Sequence, residues 1–344
     1  MRSILERSGL AGTLVCVTLL ANAHHSYTPY DLDRTVTVEG VVTKFLWANP
    51  HVYIDIDIET ESGADGHQIL AVEGLSPQSL RNLGWSASSL APGDRVTATV
   101  YPARDPSKPI AFGSAVLKTD GTLLSMPHLR DRTPPADNPP TPFVADGLTG
   151  HWQQQFDMSV VSRFIGRLRL PLTDKGIAAT ESFDPNLDIP GRDCMSFTVP
   201  YTMLFTNVVD IDVGDDIVSI RGGGVERTIH MNLDRHDGVP LSYQGHSIGR
   251  WEGDTLVVDT TRFADHRSGN ALGLPSGPRK HLIERFAPSA DRTRFDYTFT
   301  LEDSDYLTEP VTARLAFSYR PDLPFETIPC DLEAARRYLE FVEE

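Results

Sequence analysis

Unbroken alternation of apolar and polar side chains over short stretches decides what this chain can fold into. From His51 to Glu59, Val52, Ile54, Ile56 and Ile58 alternate with Tyr53, Asp55 and Asp57. From Arg294 to Leu301, Phe295, Tyr297, Phe299 and Leu301 alternate with Arg294, Asp296, Thr298 and Thr300. A period of two sends successive side chains to opposite faces of an extended strand, so each stretch reads as a strand with one buried face.

Further strand candidates run at 34–47, 67–72, 95–101 and 110–118, and later at 167–172, 217–221, 226–232, 246–251, 255–260 and 311–319. The phase shift after Val38 is read as a bulge at Gly40. One short helix interrupts the first group: Ser76-Pro77 opens it, Leu80 and Leu83 share a face, and Gly84 ends it. Three strands, a helix and two strands is the order of a small OB-like β-barrel. Glu252-Gly253-Asp254 joins two later strands as a tight hairpin. The fold class is mainly β, an OB-like barrel followed by a larger antiparallel β domain, most simply a closed β-barrel or a sandwich, the barrel being what the resemblance of Gly150-His151-Trp152 to lipocalin- or calycin-like barrels implies. Six prolines between Met126 and Gly147 mark a semi-rigid linker. The expected division is 1–23 signal peptide, 24–125 OB-like domain, 126–147 linker, 148–335 second barrel and 336–344 tail.

The signal peptide is read from Leu10 to Leu20, an apolar run too short to span a bilayer, followed by Ala21-Asn22-Ala23. Cleavage after Ala23 predicts a periplasmic or secreted protein with His24 at its mature terminus, and no membrane association after cleavage. Losing Arg2, Arg7 and Glu6 removes a net +1, so the formal charge moves from −16 to −17. That acidity argues against nucleic acid, which needs a basic footprint. Cys194 and Cys330 are the two cysteines left after cleavage, an even pair suited to a disulfide in an oxidising compartment.

Two resemblances follow from ordered motifs. His24-His25-Ser26-Tyr27, Val38-Glu39-Gly40, Trp47-Ala48-Asn49-Pro50-His51, Gly84-Trp85 and Pro92-Gly93-Asp94 make residues 24–124 similar to the uncharacterised bacterial family DUF6152. That resemblance implies no activity. Residues 148–335 resemble a group of exported bacterial proteins of unassigned function, through the block from Gly245 to Thr260 and the segment from His281 to Phe286. Gly150-His151-Trp152 also resembles the Gly-x-Trp signature of lipocalin-like barrels, which implies Arg320 as the partner of the Trp.

Three sets of residues could carry function. His246, Arg250 and Glu284 form the candidate catalytic set: alternation puts His246 and Arg250 on one strand face, pairing a proton carrier with a fixed cation. Such a set suits a cofactor-independent lyase, isomerase or hydratase, and the same charges would equally serve as a lattice tying strands together. His151, Trp152, His281 and Arg285 are the candidate ligand-binding residues, for a small apolar or carboxylate-bearing molecule in a barrel mouth. His24, His25 and His51 form the candidate metal set, because a terminal α-amine and imidazole chelate one ion and nitrogen donors favour copper. The leading expectation is an exported small-molecule-binding protein; the enzyme and the periplasmic copper-binding protein are its alternatives. No dinucleotide, phosphate-loop or metalloprotease motif is present, so no other cofactor is expected. Oligomeric state is not legible.

Overall fold

The computed structural model describes residues 29–64, 66–127, 142–155, 158–184 and 187–342. The signal segment, His24, His25 and residues 128–141 of the linker lie outside the described residues. No helix among the described residues is long and apolar enough to cross a membrane.

The first unit contains β1 (Val36–Leu46), β2 (Tyr53–Ala64), β3 (His67–Glu73), α1 (Pro77–Arg81), β4 (Arg95–Pro102), β5 (Ile110–Lys118) and β6 (Leu123–Ser125). Its sheet order is β3-β2-β1-β4-β5-β6, and a parallel β3–β5 pairing closes the first five strands into a barrel. That circuit, with the helix between the third and fourth strands, is the OB-like arrangement expected. Val52, Ile54 and Ile56 are buried, but so are Tyr53 and Asp55 of the opposite face, which Ala334 and Arg337 cover, so this strand is buried on both faces where the alternation predicts one. Ser76 caps α1 through Ser79 N, and Leu80 is buried while Leu83 is exposed. The irregularity in β1 falls between Val42 and Lys44, not at Gly40, which pairs regularly with Ile58 and Val96. Gly40 serves close approach instead: a Cβ there would stand 2.3 Å from Asp57 O.

The second unit contains β7 (Gly150–Gln154), α2 (Met158–Leu168), α3 (Asp174–Glu181), α4 (Tyr201–Phe205), β8 (Val208–Val213), β9 (Ile217–Gly222), β10 (Val225–His230), β11 (His246–Glu252), β12 (Thr255–Thr261), β13 (His266–Ala271), β14 (Leu274–Ser276), β15 (Lys280–Pro288), β16 (Arg294–Asp303) and β17 (Val311–Tyr319). Nine of these strands close a barrel in the order β10-β11-β12-β15-β16-β17-β7-β8-β9, and β13-β14 form a separate hairpin. Two expectations are corrected. The barrel is mixed, because β10 and β11 run parallel; residues 231–245 are long enough to return the chain along the wall. Residues 167–172, expected as a strand, instead hold the end of the amphipathic helix α2 at Leu168 and the turn after it, with Phe164 and Leu168 buried in the core.

The interior of this barrel is full. Trp152, Phe286, Phe295, Tyr297, Phe299 and Phe317 are all buried, and their rings touch in tilted, edge-on or stacked pairs. Buried aromatic area of this kind dominates core energetics. Past β17 the chain turns back to the first barrel as α5 (Leu332–Arg336) and α6 (Leu339–Val342), so the strap begins well before residue 336. Asn49 Nδ2 donates to Ile328 O at 2.5 Å, and Arg337 makes two bonds to Asp55 at 2.7 and 2.8 Å. A disulfide joins Cys194 to Cys330 and fixes the strap to the second barrel.

Candidate functional site

Strand geometry separates the three residues of the candidate catalytic set. Inward positions of β11 are occupied by Ser247 and Gly249, so His246, Ile248 and Arg250 share the outer face. Arg250 is exposed and pairs with Glu252 at 3.0 Å. Glu284 points the other way, from β15 into the barrel, where it is fully buried. There it accepts from Arg227 Nη1 at 2.9 Å and Tyr297 Oη at 2.7 Å, while Arg227 Nη2 and Nε also donate to Ser247 and Thr260. A ligand touching Arg250 cannot touch Glu284 across the wall, so the set does not converge.

Nor do the candidate ligand-binding residues meet in a cavity. Trp152 is core, with its Nε1 donating to Leu148 O at 2.8 Å. His151 packs beside Phe325, with Nδ1 2.8 Å from Leu323 O and Nε2 3.5 Å from Asp210. His281 bridges Asp259 and Glu302, and Arg285 pairs with Glu252 at 2.9 Å. Arg320 is clamped by Asp322 and by Gln153, the residue after Trp152. His51 of the candidate metal set lies 2.9 Å from Gly74 O and 3.1 Å from Glu73, which also takes the Tyr30 hydroxyl. Among the described residues, no group of three or more His, Cys, Asp or Glu is arranged to hold a metal ion.

The structure instead forms a cavity of about 330 Å³ beside the β13–β14 hairpin. Its lining comes from α3 and the turn after it (Ala179, Ser182, Phe183, Asp188), from Asp265, His266 and Arg267, from Pro275 and Ser276, and from Tyr306. His266 and Ser276 are direct cross-strand partners, so register alone sets an imidazole beside a hydroxyl. Both are buried, and both His266 Nε2 and Ser276 Oγ lack a hydrogen-bond partner of normal geometry. Leaving such a group unmatched costs about 1–3 kcal/mol, and these two side chains stand side by side in the cavity wall.

The chemistry of His266 is fixed by its other nitrogen. Nδ1 accepts from Ser268 N at 3.1 Å, so in the neutral ring the proton sits on Nε2 and faces the unmatched side. Burial, then the nearby Lys280 charge, push its pKa down to about 4; the Ser196 carbonyl opposes this weakly. The ring is therefore a neutral donor near pH 7, with no free lone pair to take a proton from a substrate. Asp188 binds Arg267 at 2.6 Å on one side, and Phe183, Pro275 and Tyr306 add apolar wall.

A polar layer supports the hairpin. Asn270 Nδ2 donates to Asp303 at 2.9 Å and to Pro275 O at 2.8 Å, and Gly277 N donates to Asp303 at 3.1 Å. Lys280 is wholly buried, donating to Thr198 Oγ1 at 2.7 Å and Gly269 O at 2.9 Å, with Phe263 under its ammonium. Burial lowers the Lys280 pKa to about 7 and raises that of Asp303.

Residues 11–110 match the model of DUF6152, a family of unknown function. The match takes in β1 to β4 of the first barrel, ends where β5 begins, and bears on nothing in the second. No curated protein and no solved structure matches the chain. His266 follows closely on the block from Gly245 to Thr260, but Ser276, Arg227 and Lys280 carried no local signal. Their roles come from strand register and from which face points inward, which the residues alone leave open.

Proposed function

We propose that this is an exported small-molecule-binding protein whose ligand occupies the cavity at His266 and Ser276. One observation carries the reading: His266 and Ser276, direct partners across the hairpin, both line the same cavity, and neither His266 Nε2 nor Ser276 Oγ has a protein hydrogen bond of normal geometry. A neutral imidazole N–H and a hydroxyl suit a carbonyl or carboxylate oxygen, and Phe183, Pro275 and Tyr306 suit the flat or apolar remainder. Binding is favoured over acid–base catalysis because the available nitrogen of His266 is a donor held neutral. Export is supported by the disulfide, which belongs in an oxidising compartment.

Native mass spectrometry of protein purified from the periplasm tests the reading. The expected result is a small bound mass released on denaturation, lost from His266→Ala and reduced from Ser276→Ala. A bound mass that both variants retain, or none at all in the parent protein, overturns the assignment.

A further inference from the structure

Outside the barrel, behind the cavity, four imidazoles lie close together. His236, in the crossover of residues 231–245, puts its Nδ1 2.8 Å from Nδ1 of His246 on β11. The His230 ring, from β10, stacks on His246 at 5.0 Å. Nε2 of His236 faces Asp259 of β12 at 3.4 Å, and Asp259 also meets His281 of β15 at 3.2 Å. His281 in turn reaches Glu302 of β16 at 3.6 Å.

Two facing ring nitrogens at 2.8 Å make one N–H···N bond, with one donor and one acceptor. With the His236 Nε2 proton directed at Asp259, its Nδ1 accepts and His246 donates. The pair can share one added proton by exchanging tautomers. A second leaves an N–H on both facing nitrogens, and the contact cannot persist. Three features of the closed state resist that charge: the burial of His246, the His230 ring against it, and the competition of His281 for Asp259.

The same crossover reaches His266, one of the residues that line the cavity. Arg262, at a left-handed φ of 62°, donates to Val239 O at 2.6 and 2.8 Å. Ser242 bonds through its backbone to Arg262 O and Ala264 N, at 3.1 and 2.7 Å. Tyr243 then stands edge-on against the His266 ring, 5.4 Å between centroids, with nearly half of its surface exposed.

We propose that the His236–His246 contact is a proton-operated latch: charging both rings frees residues 231–245 from the barrel wall and lifts Tyr243 from His266, uncovering that part of the cavity wall as the surroundings acidify. This rests on reading the cavity as the ligand site. The direction follows from linkage, because burial against the His230 and His236 rings makes His246 take up a proton less readily in the closed form than when solvated, so acid favours the open form. Arg235 and Asp237, the remaining charges next to His236, pair with each other at 2.6 Å in solvent.

Two readouts on the full-length protein test the latch. The first is hydrogen exchange at Ser242 and Ala264, corrected for the intrinsic pH dependence, between about pH 7.5 and about pH 5.5. Protection should fall about tenfold or more in the parent protein and stay constant in His236→Gln and in His246→Gln. The second is hydroxyl-radical footprinting of His266, located by mass spectrometry; radical addition to the ring carbons needs no free nitrogen lone pair, and because this ring stays neutral across that range its labelling reports access and not charge. Labelling should rise on acidification in the parent protein alone. Unchanged exchange, or the same change in both variants, overturns the latch; a rise in exchange without a rise in labelling overturns its coupling to the cavity. A latch that works in a protein lacking any bound mass would leave the latch standing and the ligand reading refuted, so the two fail separately.

Discussion

At the residue scale, burial gives similar side chains opposite fates. Arg227 and Glu284 are both taken from water, and they are matched completely by each other, Ser247, Thr260 and Tyr297. Removing one partner leaves an uncompensated buried charge, so Glu284→Ala should destabilise the second barrel by about 3–5 kcal/mol. The double replacement Arg227→Met with Glu284→Met should recover most of that loss, as measured by chemical denaturation. His266 is buried without full matching, and its folded pKa of about 4 lies below the unfolded value near 6.5. The folded state therefore binds fewer protons, and stability is lost as pH falls from about 6.5 to about 4, by about 3 kcal/mol. Denaturation midpoints measured across that window should fall less steeply in His266→Gln than in the parent protein.

At the element scale, alternation made most of the architecture legible. The strand at residues 294–301 buries the face its pattern assigns, the strand at 51–59 buries both because Arg337 and Ala334 cover the second, and the helix at Ser76-Pro77 and the hairpin at Gly253 stand where their turn residues put them. Alternation does not say which face looks inward. His246 and Arg250 share a face as read, but that face is the outer one, because small Ser247 and Gly249 meet Arg227, Ile229 and Leu256 inside. Apolar content alone also misassigned residues 167–172, where helical spacing of Phe164 and Leu168 prevails. The cavity was hidden for a related reason: the pairing of His266 with Ser276 is fixed by the register of a short hairpin that carries no alternation of its own.

At the scale of the whole molecule, the chain closes two barrels and then ties them together from its far end. The strap after β17 lies against Asn49, a residue of the motif that marks the first barrel, and Arg337 neutralises Asp55 on β2. The Cys194–Cys330 bridge closes a separation of 136 residues, which the chain-entropy account makes worth about 4–5 kcal/mol. Cys330→Ser should accordingly lower stability by about that amount and raise hydrogen exchange in α5, because the cross-link no longer limits the unfolded chain or holds the strap. The cavity lies in the second barrel alone, so its binding should survive this substitution wherever the barrel stays folded.

A crystal structure of the protein purified from the periplasm with its bound molecule retained is the most direct test of the central claim. The account predicts a small molecule in the cavity with an oxygen within hydrogen-bonding distance of both His266 Nε2 and Ser276 Oγ. Water alone in that cavity, with the bound molecule elsewhere, would contradict it.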